Sequence, residues 1–252
     1  MSDRSTHVAI PTTTTSRPGA HLLVISPHLD DAVLSCGEVL RANPGANVLT
    51  VFGGKPEDDR LSSFDRWFSR EATHPMILRR QEDHAALARL GSASVHLHFL
   101  DSAYGSPLDT RELVRALTRH LAGRALSTVL MPLGLAHRDH VAVRDACLEA
   151  RTLRAGLRWV AYEELPYATE NPGLAAEVRR SLAEDLGLEL VPIVLTERRA
   201  RLAKGYALSR YRSQMRALGC RRMLRAFALE KFWLLQGDDD MPLERVAGRR
   251  SG

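Results

Sequence analysis

The sequence predicts an α/β fold, a Rossmann-like three-layer sandwich with a mostly parallel central sheet. One observation is local: a buried-strand pattern at His21 to Ser26, a helical pattern over 32–42 and a second strand at Asn47 to Phe52 make a βαβ unit. A unit of this length implies parallel pairing with a right-handed crossover. The other is global: short apolar runs and longer amphipathic stretches keep alternating, the pattern of an α/β sheet covered by helices. A chain of 252 residues suits one such domain or two small ones.

In order, Val33, Cys36, Gly37 and Leu40 share one face of the first helix, which Asn43-Pro44-Gly45 ends. Gly53-Gly54 closes the second strand. Residues 55–75 are polar but carry Phe64, Trp67 and Phe68. A loop of that length is functional or mobile, and its aromatics suit either a cleft cover or anchors pinning the loop to the surface. An alanine-rich helix over 76–90 stops at Gly91. Ser94 to Leu100 alternates as a strand, with His96 and His98 on one face reading as a polar sheet surface. Asp109-Thr110-Arg111-Glu112 is a capping box for a helix burying Leu113, Leu117 and Leu121. Strands follow at Thr128 to Met131 and Arg158 to Tyr162, with a helix burying Val143, Ala146, Cys147 and Ala150 between them. A helix (about 174–185), a strand (188–195) and one or two basic helices from about Glu197 to Leu235 complete a single domain spanning 20–236. Residues 1–19 read as a disordered leader and 237–252 as a polar tail.

Composition excludes several classes. Hydrophobic content of 44% with 26% charged residues is that of a soluble globular protein. No apolar run reaches the ~20 residues of a membrane span, and the N-terminus lacks a signal peptide's apolar core. A net charge of +5 invites an acidic partner, but aromatics at 6% leave few platforms for bases and no nucleic-acid motif is present. A solvated Arg-rich surface accounts for the charge. Cys36, Cys147 and Cys220 are far apart and odd in number, which predicts reduced thiols in a cytoplasmic protein.

Two strand ends carry matching chemistry: His28-Leu29-Asp30-Asp31 after the first and His137-Arg138-Asp139-His140 after the Thr128 strand. Either alone could be a helix cap, since Asp is a preferred N-cap residue. Both should open on the same edge of a parallel sheet, where such folds place their ligands, and the pair favours a site. Two imidazoles and a carboxylate are the ligand set of a catalytic zinc, which keeps a position for water. A spare carboxylate to take a proton and a spare imidazole for the oxyanion or leaving amine complete the needs of metal-assisted amide hydrolysis.

Pro27-His28-Leu29-Asp30-Asp31 resembles the PHPDD signature of the LmbE-like, or PIG-L-type, zinc-dependent N-deacetylases, and His137-Arg138-Asp139-His140 resembles their HPDH signature. Arg79-Arg80-Gln81-Glu82 with Leu90-Gly91, the Leu100-Asp101-Ser102 loop and Lys204…Tyr211-x-Ser213-Gln214 are similar to further segments of that family. The resemblance spans about residues 21–218. It implies one Zn2+ per chain, or another divalent metal, held by His28, Asp31 and His140. It further implies Asp30 as general base, His137 as oxyanion stabiliser or acid, Asp139 orienting His137, and Arg79 and Asp101 on the substrate. Leu29, Ala32 and Arg138 depart from the family pattern but remove no implied ligand. Arg138 reads as a surface residue, with contact to an anionic substrate group as the alternative.

The implied substrate is a small N-acetylated amino-sugar glycoside. Glu163-Glu164-Leu165-Pro166-Tyr167 resembles a strand end of members acting on glycosylated secondary metabolites. That implies an N-acetylglucosaminyl deacetylase of antibiotic or related biosynthesis. The near alternative is a deacetylase or S-conjugate amidase of an N-acetylglucosaminyl-inositol thiol pathway. The alternative from another class, a non-catalytic α/β binding module, is disfavoured because the first strand lacks a glycine-rich phosphate cradle.

Overall fold

The computed structural model describes residues 21–62, 65–66, 73–122, 125–154, 156–193, 200–214, 219 and 224–237. The expected leader, nearly all of the expected tail, the aromatics Phe64, Trp67 and Phe68, and Cys220 lie outside the described residues.

The elements run β1 (Leu22–Ser26), α1 (Asp31–Ala42), β2 (Asn47–Thr50), α2 (Pro75–Leu90), β3 (Ala93–His96) and α3 (Thr110–Leu121). They continue with β4 (Thr128–Pro132), α4 (Arg138–Thr152), β5 (Arg158–Tyr162), α5 (Tyr167–Glu170) and α6 (Pro172–Leu186). Then come β6 (Glu189–Ile193), α7 (Arg201–Leu208) and β7 (Phe232–Gln236). Seven strands form one sheet in the order β3-β2-β1-β4-β5-β7-β6. The first five are mutually parallel, while β7 runs antiparallel to both β5 and β6.

Both faces of the sheet are covered, as the continuous apolar runs of its parallel strands require. Leu23, Ile25, Val129, Met131 and Trp159 pack with α3, α4 and α6 on one face. Leu22, Val24, Leu130 and Val160 pack with α1, α2 and α7 on the other. The expected punctuation is seen: Gly91 ends α2 in the left-handed conformation, and Asp109 caps α3 by accepting the Glu112 N–H at 3.0 Å. Cys36 and Cys147 are free and buried thiols.

Two expectations change. The stretch around Phe232, read as helix, is strand β7, because its apolar run slots between β5 and β6. The strand expected over 94–100 ends at His96. His98 makes only an isolated bridge to Phe52, and His96 Nε2 pairs with Asp83 Oδ2 at 2.7 Å.

Helix α1 breaks its regular geometry at Cys36 (φ −132°, ψ 15°). Beyond the break, the Glu38 N–H donates to Glu230 Oε1 at 3.0 Å. The same oxygen accepts from the buried Lys204 ammonium at 2.8 Å. A side chain inserted into the helical ladder is a known cause of such a kink. Lys204 crosses close over Gly37, where a Cβ would come within 2.8 Å of its Cγ.

Candidate metal centre

Strands β1 and β4 are neighbours, and from them strand order runs outward in opposite directions. Their carboxyl ends therefore flank the switch point at which open α/β sheets bind ligands. At the end of β1, Ser26 Oγ donates to the His28 carbonyl at 2.7 Å and accepts from the Ala32 N–H at 3.0 Å. This closes the turn that carries His28, Asp30 and Asp31. Asp30 occupies the N-cap position of α1 yet makes no side-chain cap bond. Asp31 instead accepts the His28 backbone N–H at 2.9 Å. At the end of β4, Gly134 and Ala136 adopt left-handed conformations (φ 87° and 59°), and this turn delivers His137–His140 into the first turn of α4.

The two ends meet. His28 Nδ1 lies 3.2 Å from Asp31 Oδ2 and 3.2 Å from His140 Nε2, and His140 Nε2 lies 3.1 Å from Asp31 Oδ2. Zinc–ligand bonds of about 2.1 Å in a tetrahedron place donor atoms roughly 3.4 Å apart. Three donors at 3.1–3.2 Å, two of them imidazole nitrogens facing each other, therefore fit one divalent cation. The residues around them also fit. His28 Nε2 bonds to Asp139 Oδ2 at 3.1 Å and His140 Nδ1 to Glu164 Oε1 at 3.2 Å, so each imidazole has a carboxylate behind it, as metal-ligating histidines do.

The charges follow from this clustering. Burial opposes the positive charge of His28, but Asp139 and Asp31 outweigh it and raise its pKa to about 10. Burial likewise opposes charge on His140, which Asp31 and Glu164 raise to about 9. Burial works against the Asp31 carboxylate, yet the two histidines hold it well below the usual range. Burial also opposes the Asp139 carboxylate, which His28 and the Ser102 N–H bring down to about 2. Asp30 moves the other way: burial and then the Asp31 charge push it up to about 6, against the pull of Arg79. His137 is lowered, first by burial and then by His28.

The remaining expected residues divide. His137 stands beside the cluster, its ring 5.1 Å from that of His28, and its Nδ1 accepts the Asp139 backbone N–H at 3.2 Å. The Asp139 carboxylate lies 3.9 Å from that nitrogen. Its hydrogen bonds go to His28 and to the Ser102 N–H at 3.0 Å, tying the Asp101 loop to the cluster. Asp101 Oδ2 is 3.7 Å from His28 Nε2. Arg79 is buried, and the Gln214 side-chain oxygen, with its amide oriented to satisfy both groups, accepts from its Nε and Nη2. Arg138 is exposed, 3.5 Å from the Ser102 carbonyl.

The late Lys204…Tyr211-x-Ser213-Gln214 segment does not enter the site. It clamps α2, with Tyr211 donating to Asp83 at 2.6 Å and Ser213 donating to Glu82 through N–H and Oγ at 3.0 and 2.5 Å. Glu164 is the residue that sequence reasoning left without a role. Its signal was an acidic residue at the carboxyl end of the strand next to β4.

Residues 23–151 match the family model described as PIG-L, GlcNAc-PI de-N-acetylase. A 2'-N-acetylparomamine deacetylase of Streptomyces fradiae is 30% identical over 185 residues, 66% of this chain and 63% of that protein. The chain thus spans less than two thirds of that curated relative. The crystal structure of A40926 pseudoaglycone deacetylase is similar with a TM-score of 0.71 and 30% identity, covering 86% of this chain and 97% of that one. A zinc-inhibited form of teicoplanin deacetylase is similar with a TM-score of 0.69 and 25% identity, covering 87% and 99%. No described helix is long and apolar enough to cross a membrane.

Proposed function

Because the chain belongs to the PIG-L family of de-N-acetylases, we propose that it is a zinc-dependent hydrolase removing the N-acetyl group from an N-acetylglucosaminyl-type glycoside in antibiotic or other secondary-metabolite biosynthesis. The observation that carries this reading is the convergence of two strand ends on one triangle of donors, with Asp30 and His137 beside it. The relatives support the substrate class, since they are deacetylases of N-acetylparomamine, A40926 pseudoaglycone and teicoplanin.

His28 Nδ1, Asp31 Oδ2 and His140 Nε2 would hold the zinc. When bound, it supplies a lowered pKa for water and polarisation of the amide carbonyl. Asp30 is half-buried and makes no cap bond. Its carboxylate, with a pKa of about 6, is suited to take the proton of the attacking water near neutral pH. His137 is held in its neutral form by burial and by His28, and the N–H received at Nδ1 puts its own proton on Nε2. A donor of that kind can hold the oxyanion, and the proton that Asp30 takes from the water passes to the departing amine as the C–N bond breaks. The products are acetate and a free amino sugar. Asp101, at the rim, meets the sugar, whereas the buried Arg79 opposes the rise in the Asp30 pKa from within the protein.

The test is acetate release from N-acetylglucosaminyl glycosides by zinc-loaded wild type and Asp30→Asn. Loss of acetate release with zinc retained is expected. Full activity in the variant removes Asp30 as base, and an absence of metal binding in the wild type removes the enzyme reading altogether.

A further inference from the structure

Glu164 sits at the carboxyl end of β5 and is fully buried. Its Oε1 accepts three donors: the Gly134 N–H at 2.8 Å, the Leu135 N–H at 3.0 Å and His140 Nδ1 at 3.2 Å. Its Oε2 is buried without a hydrogen-bond partner. Two successive backbone N–H groups aimed at one anion form a nest. The nest opens because Gly134 takes a left-handed φ of 87°, at a position where a Cβ would come within 3.0 Å of Arg144. A carboxylate buried this deeply costs several kcal/mol unless an opposing charge compensates it. Two backbone amides alone are a thin return for that cost, and the third donor is the imidazole proposed to hold the metal.

We infer that Glu164 is a positioning residue of the metal centre: it keeps the His140 proton on Nδ1, aims Nε2 at the cation, and anchors the turn that delivers His137 and His140. The inference rests on the proposed role of His140 as a metal ligand. With the Nδ1 proton donated to Glu164, the Nε2 lone pair has no role left except toward the triangle it shares with His28 and Asp31. Asp139 does the converse for His28. It accepts at Nε2 and leaves Nδ1 to face the triangle, so the two imidazoles present opposite nitrogens to one point. The Tyr167 and His140 rings, their centroids 5.3 Å apart and their planes at 89°, pack edge to face, which further fixes the plane of His140. A divalent cation bound by one carboxylate would leave a net positive charge beneath the sheet edge, and Glu164 supplies a negative charge directly behind its ligand.

The experiment measures zinc affinity by chelator competition for wild type, Glu164→Gln and His140→Ala, together with the unfolding midpoints of the metal-free proteins. Glutamine keeps an acceptor for the two backbone N–H groups but removes the charge. We expect Glu164→Gln to bind zinc roughly 10- to 100-fold more weakly, the range for groups orienting metal ligands, and its metal-free form to unfold cooperatively at a lower midpoint, because His140 loses a buried charged partner. Wild-type affinity in Glu164→Gln, alongside lost binding in His140→Ala, overturns the role of Glu164 and leaves the metal reading intact. Wild-type affinity in His140→Ala overturns the metal reading itself and this inference with it. A second measurement needs no variant. Long-range 15N–1H NMR of the zinc-loaded wild type should find the His140 proton on Nδ1 and the His28 proton on Nε2. A His140 proton on Nε2 overturns the inference even where Glu164→Gln fails to fold.

Discussion

Both ring nitrogens of His28 and of His140 face carboxylates, on Asp31 and Asp139 in one case and on Asp31 and Glu164 in the other. At the mouth, His137 is held by one backbone N–H, and Arg138, with 71% of its side chain exposed, touches little. The contrast follows from what each half has to do. A cation site gains affinity from donors fixed before binding, and burial makes each of its hydrogen bonds stronger and each lost one costlier. The groups that meet a changing substrate need room to accept it. Substitutions should therefore fail in different ways on the two sides: loss of metal within, loss of rate with metal retained outside.

The largest effect is expected from Asp31→Ala, which removes the carboxylate joining the two histidines. Zinc affinity should fall by more than the roughly 100-fold seen at most when an outer partner is lost, and acetate release should vanish with it. Zinc retained at wild-type affinity would dissolve the distinction between the two halves. Asp30→Asn should keep its zinc while kcat/KM falls about 10²- to 10⁴-fold, the usual contribution of a general base. The acid limb of its pH profile should disappear as well. In the wild type that limb belongs near 6, because the charge a bound divalent cation brings replaces the two protons it displaces from His28 and His140. His137→Ala should cost about 10²- to 10³-fold in kcat, as removal of one oxyanion donor does, again with zinc retained. Metal loss in either variant would move that residue to the inner half.

How much of this was legible in the sequence depends on how far apart the cooperating residues lie. Pro27–Asp31 and His137–His140 were readable because each group is contiguous and follows a strand of clear period. Strand β7 was not, since Phe232–Gln236 is too short for its period to separate strand from helix. Its pairing with β5 and β6 is set by contacts distant in sequence. Glu164 was visible only as part of a strand-end segment, because its role requires β5 to lie beside β4 and the Gly134 turn to point two N–H groups at it. The partner of the Asp139 carboxylate is likewise a matter of folding: the nearest imidazole in sequence is His137 or His140, but the one it bonds in space is His28.

The inner half also predicts a dependence of metal-free stability on pH, set by its two histidines and Asp31. Without metal, His28 and His140 are raised from 6.5 to about 10 and about 9. Their stabilising contribution is therefore complete below 6.5 and lost as pH rises through 9 to 10. Asp31, lowered from 3.8, contributes above 3.8 and loses that contribution as pH falls through its folded value. Metal-free protein should be most stable between about 4 and 6.5 and should soften toward pH 10 in thermal unfolding. Zinc must displace both imidazole protons, so at neutral pH its binding should release close to two protons and its affinity should rise with pH. Calorimetry in buffers of different ionisation enthalpy counts those protons, and a count near zero would mean that His28 and His140 are neutral before the cation binds.

The smallest effect belongs to Arg138, which stands at the proline position of the HPDH signature that His137–His140 resembles. Its guanidinium reaches the Ser102 carbonyl only at 3.5 Å and Asp139 at 3.9 Å, contacts at the limit of hydrogen-bond and ion-pair geometry. Exposed pairs of this kind contribute between nothing and about 1 kcal/mol. Arg138→Ala should therefore change stability by no more than about 0.5 kcal/mol, leave zinc affinity alone, and alter kcat/KM by about twofold at most. The residue nonetheless sits next to both His137 and the Asp101 loop, so the comparison is sharpest here. A tenfold rise in KM for an anionic glycoside that shrinks at high ionic strength would make Arg138 part of the substrate surface, because screened attraction of that kind requires an exposed charge near the bound anion. Equal KM values at low and high salt would leave it a solvated side chain at the rim, and the working mouth of the site would then reduce to Asp30, Asp101 and His137.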